Sequence, residues 1–343
     1  MKKIFISFVA LAAIAACSKT EVQYENSAEI GFAPVARNLT KAAMSGSLPE
    51  TQTLGIWAYW NFKDGEQKEG YTEAYLIDAE FGNKTATIIN ESNESSTISD
   101  YWGGVGVSYP WPANGELIFA GYTKTVGLDV ECNDYGQEII FNNYTPANGF
   151  DLCWFCATAP CNHRNSGAAV IVPLSHALSW LTFNVTATGS AKDWVITDIT
   201  LNGYASTGTG TCTNTASWVP DNYNGTLKLL ENAEFELDET VQDIEGGAKN
   251  ILVLPQRINP NNQTTGREHH TLSISYKFPV GETWKTDKKV VNLDLNTNPE
   301  TSIDNEWKSG VRYIYTLTFK SNEILVSPSY GTWDEVRQGV TVE

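Results

Sequence analysis

The sequence predicts an all-β protein of two sandwich domains, and three observations carry that prediction. The chain holds 11 Trp, 15 Tyr and 13 Phe against only two Met. These aromatics come with many Thr, Asn and Gly, the composition of strands joined by polar turns. Short apolar runs recur along the chain with turn residues between them, the spacing of sandwich strands, and no long 3.6-residue apolar period sets in anywhere. The length of 343 residues suits about two domains.

The elements follow in chain order. Lys2 and Lys3 precede an apolar run that ends Ile14-Ala15-Ala16-Cys17. A basic start, an apolar stretch too short to span a bilayer as a mature helix, and small residues before a cysteine have the shape of a secretory signal. The last four residues resemble the lipobox of bacterial lipoprotein precursors. That resemblance implies that residues 1–17 end at a lipidated Cys17, which becomes the new N-terminus and tethers an exported body. Ser18 to Asn26 then reads as a polar tether. Residues 28–36 (AEIGFAPVA) predict a first strand with Ile30 and Phe32 on one face. Arg37 opens a polar loop.

Leu54 to Trp60 (LGIWAYW) is bulky without interruption, which predicts a strand buried on both faces. Tyr75 to Ile89 holds one or two strands, and Leu117 to Tyr122 and Ile139 to Phe141 supply further apolar runs. Asn142 to Gly167, rich in Cys, Asn and Pro, reads as a loop. Ala168 to Leu174 and the alternating end of His176 to Val185 read as strands. The small residues 187–192 predict a hinge between an N-terminal domain of residues 18–187 and a C-terminal domain of residues 188–343. Strands in the second domain are expected at Val195–Leu201, Leu227–Leu230, Asn250–Leu254, Leu272–Phe278, Lys289–Leu295, Arg312–Phe319 and Ile324–Val326. Turn signals such as Asn202-Gly203 and Pro260-Asn261 separate them.

The formal charge is −17, from 23 basic and 40 acidic residues. Affinity for nucleic acid rests on Lys and Arg neutralising phosphates, so this balance argues against a nucleic-acid partner. After the signal no apolar run is long enough to predict a transmembrane helix.

Five cysteines follow Cys17: Cys132, Cys153, Cys156, Cys161 and Cys212, an odd number that cannot all pair within one chain. Cys153-Trp154-Phe155-Cys156 is a CxxC with Cys161 and His163 close behind. It leaves three readings open: a zinc-type site, a local disulfide, or thiols that do neither. His269-His270 reads as a surface turn, and His176 as a core or edge histidine. No nucleophile elbow, phosphate loop or zinc-protease motif is present, and the carboxylates are scattered. The sequence therefore points to no catalytic residue, no cofactor and no metal, and to a non-enzymatic protein. Exposed Trp and Tyr forming a glycan platform are an alternative reading.

Five segments together resemble the fimbrillin (type V pilin) lipoproteins of the Bacteroidales. They are the lipobox with its tether, EIGFAPVA ahead of Arg37 and NLTKA, PLSHALSWLTFNV (173–185), ILVLPQ (251–256), and WKSGVRYIYTLTF (307–319) with Ile324 and Trp333 beyond it. The resemblance implies two tandem transthyretin-like, Greek-key β-sandwiches. It also implies a precursor carried by its lipid to the outer membrane and a trypsin-like protease that cuts after the first strand, at Arg37 in preference to Lys41. The strand carrying Ile30, Phe32 and Val35 would then be a removable plug, and its groove would accept a strand from another subunit of a surface fimbrium. The C-terminal Ile324–Val326 and the tail to Val342 are the candidate donor. A lipid-retained anchor or a tip subunit is the alternative within the family, and a host or bacterial receptor would be a further partner.

Overall fold

Seven strands close into a barrel through the first of them. In order around it stand β1 (Gly31–Ala36), β4 (Ser95–Gly104), β3 (Ile77–Ile89), β2 (Thr53–Asn61), β5 (Glu116–Lys124), β8 (Cys153–Pro160) and β9 (Val170–His176). This computed structural model describes residues 29–36, 51–61, 77–89, 95–133, 136–147, 149–165, 168–221, 223–244, 251–258, 270–293 and 305–332. Cys17, Arg37, Lys41, His269 and the tail beyond Thr332 lie outside the described residues.

Alternation explains the barrel. Leu54, Ile56, Ala58 and Trp60 of β2 point into its core with Leu117 and Phe119 of β5 and Val170, Val172 and Leu174 of β9. The opposite face of β2 carries Trp57 and Tyr59, and these are buried too. They pack with Ala120, Tyr122 and Trp154 beneath a second, four-stranded sheet: β6 (Asp129–Asn133), β7 (Glu138–Tyr144), β12 (Thr207–Cys212) and β13 (Ala216–Asp221). A strand covered on both sides reads as a continuous apolar run, which is what LGIWAYW supplies.

Two further sheets enclose the later core. One orders β16 (Gln242–Asp243), β10 (Ser179–Ala187), β22 (Val311–Phe319) and β23 (Ile324–Thr332), with β17 (Ile251–Val253) also on β10. The other orders β14 (Gly225–Leu230), β11 (Val195–Tyr204), β19 (Thr271–Val280) and β20 (Thr283–Asn292), with β15 (Phe235–Glu236) also on β11. A two-stranded piece joins β18 (Gln256–Arg257) to β21 (Glu306–Trp307). Leu181, Phe183 and Val185 of β10 and Tyr315, Leu317 and Phe319 of its neighbour β22 share this core with Ile274 and Tyr276 of β19 from the other sheet.

The all-β class holds, and several details differ from the sequence reading. The N-terminal strands form a closed barrel, because β1 pairs with β4 on one side and β9 on the other. Sheet β13-β12-β7-β6 draws strands from both sides of residue 187, and β10 belongs to the later core. The expected hinge, residues 187–192, overlaps a short 3-10 helix, Gly189–Asp193, whose Ala191 is buried. The loop expected over residues 142–167 contains all of β8. Strands β12 and β13 were not expected, since the glycines of TGTGTC weaken its strand signal and it has no bulky apolar run. Gly210 is needed there because a Cβ would sit 2.7 Å from the Trp218 ring that crosses it.

Candidate functional site

The seat of β1 brings two of the predicted plug residues, Ile30 and Phe32, into the barrel core. Parallel pairing matches Phe32–Ala36 with Val170–Leu174 of β9, and antiparallel pairing sets Gly31 and Phe32 against Gly103 and Trp102 of β4. The backbone N–H of Ile30 donates to the Tyr109 carbonyl at 2.7 Å. Pro34 lies on β1 and Pro173 faces Val35 from β9. Proline has no N–H, so this seam is short of ladder donors and depends more on side chains.

Those side chains are well placed. Phe32 is fully buried, and Ile30 is 1% exposed. The Phe32 ring meets Phe81 and Phe119 edge-on, each with centroids 5.0 Å apart, and lies 6.2 Å from Phe155. Edge-to-face pairs of this kind add roughly 0.5–1.5 kcal/mol to area burial. The Tyr101 ring lies across the backbone of Gly31, where a Cβ would collide with it. Burial of Tyr101, helped by the charge of Glu29, pushes its phenol up to about 12. For Val35 the described feature is its backbone pairing with Pro173.

At the other end of the chain, β23 is the edge strand of its sheet and runs antiparallel to β22 from Ile324↔Phe319 to Thr332↔Val311. Its side chains are only partly covered: Leu325 is 39% exposed and Tyr330 54%. An uncovered edge can pair with another chain.

The CxxC is not a shared site. Cys153 to Cys156 is strand, so residues three apart point to opposite faces. Cys153 and Phe155 enter the barrel core, whereas Trp154 and Cys156 turn outward to the four-stranded sheet. Cys161 is buried in the barrel core, and His163 lies against Trp111 with ring centroids 5.4 Å apart. None of Cys132, Cys153, Cys156, Cys161 and Cys212 is in a disulfide. His270 is fully buried rather than on a surface turn, packed edge-on to Trp307 and bonded to Gln256 at 3.2 Å.

His176 is buried, and its setting could not be foreseen. Its Nδ1 lies 2.7 Å from Asp151 Oδ2 and 3.6 Å from Cys153 Sγ. Among the described residues this trio is the one cluster of three groups spaced to hold a metal ion. Burial, then the nearby Asp151, raises the Cys153 thiol well above its ordinary value.

A cleft of about 340 Å³ opens at the far end of the later core. Trp194 and Tyr276 stack in it with centroids 4.8 Å apart and planes 4° apart, beside Phe278. Asp287, Lys289, Asn322 and Glu323 supply polar groups, and Tyr276 donates to Asp287 at 3.0 Å.

A family model described as fimbrillin-like matches residues 40–333. The chain belongs to the fimbrillin-like family. No curated protein matches it. Among solved structures, a fimbrial protein from Bacteroides vulgatus is 16% identical with a TM-score of 0.53, covering 89% of the fimbrillin-like chain and 99% of its own. A protein assigned to cell adhesion from Bacteroides ovatus is 13% identical with a TM-score of 0.50, over 90% and 99%. Another from Parabacteroides distasonis is 9% identical, also at 0.50, over 91% and 99%. At these identities the likeness shows the fold alone.

Proposed function

We propose that this fimbrillin-like chain is a non-enzymatic structural subunit of a cell-surface fimbrium that assembles by strand exchange and contributes to adhesion. The observation that carries the reading is the position of β1, the stave that closes the barrel between β4 and β9 with Phe32 at its centre. In this reading Cys17 carries lipid and holds the precursor at the outer membrane. A trypsin-like protease cuts after Arg37 or Lys41, and β1 departs with the lipid. Its loss exposes two strand edges and an aromatic-lined groove. Refilling the positions of Ile30 and Phe32 is worth about 1.5–3 kcal/mol each, and a strand from a second subunit restores the ladder as well. The half-covered β23 and the tail beyond it are the donor.

Two transthyretin-like units, divided near residue 187, belong to the same reading. Two cores support them, one within residues 30–174 and the other within 181–319, while a third, from Trp57 to Leu254, runs across the division. Retention of β1 would instead make the chain a lipid-held anchor, and a tail unable to donate would make it a tip.

N-terminal sequencing of the surface protein, with and without a trypsin-like protease, tests the proposal. Assembled protein is expected to begin at Asn38 or Ala42. Fibres whose subunits are intact from Cys17 would refute strand release. Trp194 and Tyr276 are buried, at 9% and 3% exposed, and stacked on each other, so they are core rings and do not form the exposed aromatic platform that glycan binding would need.

A further inference from the structure

Cys153 and His176 face each other where β8 meets β9, and with Trp154 opposite Ser175 they make up the whole ladder between those strands. Asp151 precedes β8. One potential ligand atom from each of the three residues lies within 4.8 Å of the others. The side chains of His176 and Asp151 are 5% and 2% exposed. Oδ2 of Asp151 contacts the imidazole, but Oδ1 has no hydrogen-bond partner among the described residues. A buried carboxylate oxygen without one is costly and calls for an explanation.

A nucleophile relay does not fit. It needs carboxylate and thiol on opposite ring nitrogens, whereas here both address Nδ1. We propose that Asp151, Cys153 and His176 bind a divalent transition-metal ion of the zinc class.

The donor chemistry supports this: thiolate, imidazole and carboxylate are the ligands zinc takes. Bonds of about 2.0–2.3 Å place tetrahedral ligand atoms roughly 3.4–3.8 Å apart. The 3.6 Å between Cys153 and His176 already lies in that range, whereas the 2.7 Å between Asp151 and His176 has to widen. A carboxylate that turns to present Oδ1 as its single ligand atom relieves the short contact and leaves the fourth position to a water. A dication, a thiolate, a carboxylate and a neutral imidazole sum to zero charge, which suits a buried pocket. On binding, the Cys153 thiol releases its proton to solvent.

The ion would staple β8 to β9. β9 is held by two paired residues on the β8 side and by five on the β1 side. A staple would keep this wall of the groove in place after β1 leaves. That role rests on the strand-release reading; the binding site itself does not.

The test uses the purified chain with β1 present, titrated with Zn²⁺ and with Co²⁺. One ion per chain is expected to survive dialysis, Co²⁺ to give a thiolate-to-metal charge-transfer band, and Zn²⁺ to raise Tm by several degrees. The band is expected to vanish in Cys153→Ser and persist in Cys156→Ser. Asp151→Asn, of nearly the same shape, should weaken binding by about tenfold or more, and serves where Cys153→Ser does not fold. A wild-type chain that retains no stoichiometric ion, or a band that survives Cys153→Ser, overturns the site. Because β1 stays seated throughout, that failure would leave strand release untouched.

Discussion

Replacing Phe32 with alanine empties the centre of the β1 seat. The ring is fully buried and meets Phe81, Phe119 and Phe155 from three other strands. These neighbours belong to closed strands and cannot collapse far into the gap, so the cost falls in the usual range for a core Phe→Ala, about 3–5 kcal/mol. Each 1.4 kcal/mol is a factor of ten, so the seat should open roughly two to four orders of magnitude more often. Two measurements read this. Urea unfolding gives the loss of stability. Hydrogen exchange of the β1 backbone amides gives the open population. Phe32→Leu should fall between wild type and alanine. A Phe32→Ala loss below about 1 kcal/mol, with unchanged exchange of the β1 amides, would show that β1 is not held by this side chain and would refute the reasoning.

Gly31→Ala drives a Cβ into the Tyr101 ring; differential scanning calorimetry should show a lower Tm, and a Gly31→Ala, Tyr101→Ala double variant should not add the two losses. Gln256→Ala strips partners from the Ala205 N–H and from the Leu254 and Ala205 carbonyls, all buried or part-buried around it. Leaving such groups unsatisfied costs about 1–3 kcal/mol, to be read by urea denaturation. Burial raises the phenols of Tyr101, Tyr122 and Tyr313 from 10 to about 12. A raised folded-state value means the fold favours the neutral phenol, so this stability is fully present below pH 10 and is lost as pH rises toward 12. Tyrosine ionisation followed by ultraviolet absorbance should therefore lag the free phenol and rise together with unfolding; simple titration at 10 would refute the burial.

Much of the architecture was legible in the sequence because strand alternation is a local signal. GFAPVA and LGIWAYW declare one buried face and two, and Phe32, Trp57 and Trp60 are buried as their spacing requires. TGTGTC was not legible, because its place in a sheet depends on the Trp218 ring that crosses Gly210 rather than on its own residues. His270 was misread because its burial comes from Trp307 and Gln256, which lie on other segments.

The same division runs through the chemistry. By itself the sequence determined an acidic, strand-rich chain, a first strand with apolar residues on one face, and the order of segments that marks the family. These are properties of neighbouring residues and of composition. The tertiary structure alone decided that β1 closes a barrel between β4 and β9, because that depends on which edges meet. It also decided the fate of the CxxC. Strand geometry sends Cys153 and Cys156 to opposite faces, and the cross-strand register of β8 and β9, which no local pattern encodes, sets Cys153 beside His176 and Asp151.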